Sequence, residues 1–190
     1  MKPRLLVSAL AVSATLATIP AKAEAAGVFS QSRDSMPRIN IYKDPYSYAG
    51  IDMMNWNFSN GDNTIKGSDR GTRFTFGQRF DEFIAAEVQF GIGGTDAAAT
   101  GGPVKMDHTL GLFIKGVLPM NRLQVKGLIG YSASQFEIAA AQSSFSSVSF
   151  GIGAELNVWR DAYVNADYIK YISTTNNDMD AISIGAGYRF

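Results

Sequence analysis

The sequence contains no cysteine, so no disulfide can brace the fold, and backbone pairing and packing must hold it together. It has one histidine, His108, which leaves little material for general-base chemistry. Formal charges cancel to +0 over the 190 residues. Removal of Lys2, Arg4 and Lys22 with a leader leaves 14 bases against 17 acids, a balance of −3. That excludes the basic footprint of a nucleic-acid binder. Beyond residue 20 no apolar run is long enough for a membrane-spanning helix. Helical periodicity is also scarce, and turn-formers punctuate short runs rich in Gly, Ser, Asn, Phe and Tyr, the texture of an all-β protein.

The first residues stand apart from this texture. Lys2 and Arg4 precede the apolar stretch LLVSALAVSATLATI (Leu5 to Ile19), and Pro20 breaks it. Small residues two apart follow, at Ala21 and Ala23 and again at Ala23 and Ala25, as a signal peptidase requires. A secretory signal peptide is therefore expected over residues 1–23, with cleavage after residue 25 as the alternative. The run is too short for a membrane anchor. Gly27 to Ser47 is irregular and holds Pro37 and Pro45. Residues 24–47 are expected to form an N-terminal linker and residues 48–190 the folded domain.

In that domain eight runs of about ten residues alternate in polarity. They are Tyr48 to Phe58, Gly71 to Phe80, Phe83 to Gly93, His108 to Leu118, Leu123 to Ala133, Ser147 to Val158, Tyr163 to Ile172 and Ala181 to Phe190. The first slips in phase near Met53 and Met54, which predicts a β-bulge. Short connections (Asp81-Glu82, Pro119 to Arg122, Trp159 to Ala162) alternate with long polar ones (Ser59 to Arg70, Gly94 to Asp107, Ser134 to Ser146, Ser173 to Asp180). An even number of strands, with short turns on one rim and long loops on the other, is the layout of an eight-stranded antiparallel up-and-down transmembrane β-barrel.

Successive side chains point to opposite faces of a strand. One face is bulky and apolar: Ile84, Val88, Phe90 and Ile92 in the third run, Ile182, Ile184, Tyr188 and Phe190 in the eighth. The other mixes glycine with charge. Periodicity alone does not say which face is outside, but three features do. The polar face is crowded with Gly77, Gly91, Gly130, Gly151, Gly153, Gly185 and Gly187, as a lumen that barely admits side chains requires. Its charges have both signs, Arg73, Arg79, Lys115, Lys126 and Arg189 against Asp52, Glu87, Glu155 and Asp167, so they can pair across the lumen. The apolar face is bulky in nearly every strand, as hydrocarbon favours. Aromatics near strand ends (Phe80, Phe83, Trp159, Tyr163, Tyr188 and Phe190 on one rim; Trp56, Phe58, Tyr131, Tyr168 and Tyr171 on the other) predict interfacial girdles. Lys170 falls on the apolar face and must snorkel.

Three stretches carry a family resemblance: FGQRFDEFIAAEVQFG (Phe76 to Gly91), FIKGVLPMNRLQVKGLIGY (Phe113 to Tyr131) and the terminal GYRF. Together they resemble the small outer-membrane β-barrel proteins of the OmpA/OmpX type, over about Tyr48 to Phe190. The long segment Gly27 to Ser47 departs from that pattern. The resemblance implies residence in the outer membrane of a Gram-negative bacterium among its lipids. It also implies a closing strand in which Tyr188 and Phe190 belong to the signal read by the barrel-assembly machinery.

The function expected is structural or surface-interacting, exerted through extracellular loops on an unidentified partner by a monomer with a side-chain-filled lumen and at most a narrow pore. No cofactor, metal or nucleic acid is expected. One alternative is an embedded lipid-modifying enzyme. For it the sequence offers only His108 beside Asp107, and adjacent strand residues point to opposite faces. The other is a soluble ligand-binding barrel. GIGG (Gly91 to Gly94) and GIGA (Gly151 to Ala154) lack the Lys-Ser/Thr and helix of a phosphate loop. NNDMD (Asn176 to Asp180) lacks the Gly and closing Glu of a calcium loop, and reads as an extracellular loop.

Overall fold

The structure, a computed structural model, describes residues 44–96 and 99–190. The expected signal peptide and most of the expected linker lie outside the described residues. The strands are β1 (Tyr46–Asn60), β2 (Lys66–Arg79), β3 (Ile84–Ile92), β4 (Thr95–Asp96), β5 (Val104–Met120), β6 (Leu123–Ile138), β7 (Ala141–Trp159), β8 (Ala162–Ser173) and β9 (Asn177–Arg189). β1 thus begins two residues before the expected Tyr48. Every pairing is antiparallel and joins chain neighbours, except that β3 and the two-residue β4 both pair with β5 and so make one stave, and that the first strand pairs with the last. Pairing of β1 with β9, from Tyr48 opposite Arg189 to Asn60 opposite Asn177, closes an eight-stave barrel.

Toward the short-turn rim the ribbon is apolar outside and polar inside. Ile51, Leu112, Ile114, Ile129, Ile152 and Ile184 are each more than half exposed, while Asp52, Arg73, Glu87, Lys126 and Asp167 are buried. Such exposure suits only a surround of hydrocarbon. Toward the other rim the chemistry inverts. Met54, Trp56, Phe58, Met106, Phe136, Ile172 and Met179 point inward and are buried, forming one cluster. Their outward neighbours are Asn57, Lys66, Ser68, Lys105, Gln142, Ser144 and Asp180. This half obeys the logic of a water-soluble barrel. Tyr131, whose hydroxyl donates to Ser146 Oγ at 3.0 Å, and Tyr168 stand outside where the two regimes meet.

The inversion corrects three expectations. No bulge occurs at Met53-Met54, because β1 keeps continuous register with both neighbours; the phase slip records the lumen turning apolar at Met54. Irregularities fall instead at Asp107, Val158 and Tyr171. Trp56, Phe58, Tyr163 and Tyr171 do not join the girdles, since all four point into the lumen; Phe80, Phe83, Trp159, Tyr188 and Phe190 do lie exposed on the outside. Finally, most of the expected long loops are strand. Ser134 to Ser146 collapses to a two-residue turn at Ala139-Ala140, and Ser173 to Asp180 to Thr174-Asn176. Serine there reads as loop, yet Phe145 packs inward on Phe58 and Phe136, with centroids 5.6 and 6.1 Å apart, and draws the hairpin out. Ala139 and Ala140 have φ of 47° and 66°, the left-handed pair of a type I′ hairpin turn, which favours Asn-Gly.

Candidate functional site

The lumen gathers the candidate residues in register-defined layers. At mid-barrel Asp52 of β1 lies directly opposite Arg73 of β2, and Arg73 Nε donates to Asp52 Oδ2 at 2.8 Å. Arg73 Nη2 also meets Asp167 Oδ2, and Lys126 Nζ lies 2.8 Å from Asp167 Oδ1. Asn165 Nδ2 donates to Asp52 Oδ1 at 2.8 Å. One layer toward the short-turn rim, Lys115 Nζ bridges Glu87 (3.2 Å) and Glu155 (3.0 Å). Glu155 receives two further cations, Lys126 at 3.2 Å and Arg189 at 3.3 Å. Eight of the nine lumen charges therefore touch an opposite charge.

Arg79 is the ninth. It donates to the carbonyls of Asp81 (2.8 Å) and Glu82, to Tyr46 Oη (2.9 Å) and to Gln124 Oε1 (3.0 Å), and among the described residues it has no carboxylate partner.

Ions buried this deeply lose several kcal/mol of hydration each, returned only by close contacts such as these. Neutral residues complete the shell. Tyr48 Oη and Gln89 Nε2 donate to Glu87 at 2.8 and 2.6 Å. Lys115 Nζ sits 4.0 Å from the Tyr48 ring centroid, and Arg189 Cζ 4.4 Å from that of Tyr163. Sequence reasoning missed these tyrosines, although a signal existed. Tyr48 faces Gly77 and Tyr163 faces Gly187 across the strand pairs, and each ring lies where a Cβ would stand. A lumen glycine thus marks a large neighbour lying flat. Tyr171, at the β8 bulge, turns its carbonyl into a serine pocket, where it accepts from Ser132 (2.6 Å), Ser149 (2.8 Å) and Ser147 (3.1 Å).

The remaining candidates lie outside the lumen. His108 is exposed on the outer face with its ring 6.4 Å from Phe90. Asp107 occupies the β5 irregularity, with its carboxylate 2.8 Å from Lys105 Nζ. Lys170 reaches Asp178 Oδ2 at 2.9 Å. Tyr188 and Phe190 face outward at the short-turn rim, and Phe190 exchanges two backbone hydrogen bonds with Ser47, at 3.0 and 2.9 Å.

A family model for the outer membrane protein beta-barrel domain matches residues 9–190. The chain belongs to that family. Its place is the outer membrane of a Gram-negative bacterium, which sets aside the soluble-barrel alternative. Solved structures share the fold of this outer-membrane barrel at low identity. The attachment invasion locus protein Ail of Yersinia pestis, solved with the heparin analogue sucrose octasulfate, is 17% identical with a TM-score of 0.59, covering 77% of this chain and 99% of that one. Neisserial surface protein A is 15% identical at 0.57, covering 76% and 97%. OprG of Pseudomonas aeruginosa is 13% identical at 0.57, covering 78% and 97%. No curated protein matches by sequence. By the family's topology the short-turn rim is periplasmic and the opposite rim extracellular.

Proposed function

We propose that this outer-membrane barrel is a monomeric surface-interaction protein. Its lumen charges hold the wall together, and its extracellular hairpins meet a partner outside the cell. The reading rests on the filled lumen. Ion pairs occupy the periplasmic half, and Trp56, Phe58, Met106 and Phe136, each at most 2% exposed, occupy the extracellular half. Little room is left for steady ion flow. The hairpins are stiffened extensions of the wall rather than free loops. At the mouth a cleft of about 400 Å³ opens between Asn60, Asp62, Ile65, Phe145, Asn176 and Asn177.

Charge constrains the partner. The extracellular ends carry Lys66, Arg70, Lys105 and Lys170 against Asp62, Asp69, Asp107, Glu137, Asp178 and Asp180. That acidic excess favours a neutral or cationic partner over a polyanion of the kind bound in the Ail complex. No catalytic role is assigned: Lys105 holds the Asp107 carboxylate, and His108 lies against Phe90. Tyr188 and Phe190 serve as the signal read by the barrel-assembly machinery.

Refolded protein in planar bilayers tests the filled lumen: only brief, small openings are expected, and a steady large conductance overturns it. Exchanging the tips at residues 61–65, 139–140 and 174–176 for Gly-Asn turns tests the surface role. Insertion, read as heat-modifiable gel migration, should persist while binding of cells to host or neighbouring surfaces falls. Unchanged binding refutes that part.

A further inference from the structure

The lumen's charges do not balance. Among the described residues the buried cations are Arg73, Arg79, Lys115, Lys126 and Arg189, and the buried carboxylates are Asp52, Glu87, Glu155 and Asp167. Five therefore face four. The other inward-phased acid, Asp69, pairs in register with Trp56 at the extracellular end. The surplus has an address. Glu155 already serves Lys115, Lys126 and Arg189, and Arg79 has only neutral acceptors.

These two arginines meet at the periplasmic end. Both stand near the Tyr46 ring, whose centroid is 5.5 Å from Arg79 Cζ and 5.7 Å from Arg189 Cζ. Gln124 is tied to Arg79 through its oxygen and stands opposite Glu155 in register, beside the Arg189 contact. Two donors in this layer have no acceptor among the described residues, Gln124 Nε2 and Arg189 Nη1, although both residues are only 1% exposed. Buried N–H groups without acceptors are rare and costly. Here they coincide with the one buried cation, Arg79, that has no carboxylate partner among the described residues.

We propose that the periplasmic end of the lumen is a binding site for one small monovalent anion, chloride, held by Arg189 Nη1, Gln124 Nε2 and the field of Arg79. Water alone could accept from the two donors but would leave the charge unanswered. A polyanion is disfavoured, because the excess is a single charge and the adjoining turn carries Asp81 and Glu82.

Crystals of the refolded protein grown in bromide test this directly. An anomalous peak within hydrogen-bond reach of Arg189 and Gln124 is expected. Water alone at that position, or bromide only elsewhere, overturns the proposal. Urea unfolding in detergent, in chloride against gluconate at equal ionic strength, gives an independent reading. Chloride at ten times its dissociation constant should raise the folding constant about elevenfold. Gln124→Glu supplies a fifth carboxylate in the same layer. It should abolish both the bromide peak and the chloride dependence while the protein still migrates as a folded barrel. Equal wild-type midpoints in the two salts refute the site, as does persistent chloride dependence in Gln124→Glu.

Discussion

Glu155 is the acid on which the lumen's electrostatics converge, and its substitution separates a dry network from a wet one. Glu155→Gln keeps the shape but leaves Lys115, Lys126 and Arg189, at 3.0, 3.2 and 3.3 Å, facing an amide. Lys115 still has Glu87 and Lys126 still has Asp167, but Arg189 has no other carboxylate among its ion pairs. The buried count shifts from five against four to five against three. Removing one member of a buried ion pair costs about 3–5 kcal/mol, which lowers the folding constant by about two to more than three orders of magnitude. Lys126→Met removes charge of the opposite sign from the same cluster. It leaves four against four, with Glu155 on Lys115 and Arg189 and Asp167 on Arg73. Because every carboxylate keeps a cation, this substitution should cost less than Glu155→Gln. Reversible urea unfolding in detergent, followed by far-UV circular dichroism, measures both. A Glu155→Gln cost below about 1 kcal/mol, or one no larger than that of Lys126→Met, would mean that water screens the network, and the reasoning would fail.

Four further outcomes are expected. Ala139→Asn with Ala140→Gly relieves the left-handed strain of the β6–β7 turn and should raise stability by about 1 kcal/mol in the same urea assay. Gly77→Ala and Gly185→Ala place a methyl group into the Tyr48 ring and against the Ile51 carbonyl, and each should cost about 1–3 kcal/mol. Ile129→Arg, in the lipid-facing belt, should cost about 2–4 kcal/mol if it sits near the bilayer midplane. Brominated lipid should quench the fluorescence of Trp159, which is 71% exposed, and spare Trp56, which is fully buried. Single-tryptophan variants read this, and quenching of Trp56 would contradict the inward placement.

Alternation was legible wherever both faces kept one character. Ile84 to Ile92 and Ala181 to Phe190 reveal their strands and the division into an apolar and a polar or glycine-rich face, and the glycines and paired charges of the second face assign it to the lumen. The same rule misread β1, because at Met54 the inward face changes from acid to hydrocarbon-like without any change of phase. Pattern reading registers a change of chemistry and a change of register identically. The hairpin Ser134 to Ser146 was hidden for a related reason: serine carries little strand signal, and its partners Phe58, Phe136 and Phe145 become a core only when distant strands bring them together. The charged residues could be assigned to one face from sequence. Their stoichiometry around Glu155, and the lack of a carboxylate partner for Arg79 among the described residues, needed three-dimensional register.

The seam between β1 and β9 sets the order of events in assembly. Every other junction joins staves made one after the other, whereas this one waits for the last strand to find the first. Until then β1 carries a row of unsatisfied amides and carbonyls, which hydrocarbon does not tolerate. An incomplete barrel therefore has no resting place in the bilayer. Closure and insertion must proceed together, and a lesion in either edge strand should appear first as slow biogenesis and only afterwards as lost stability.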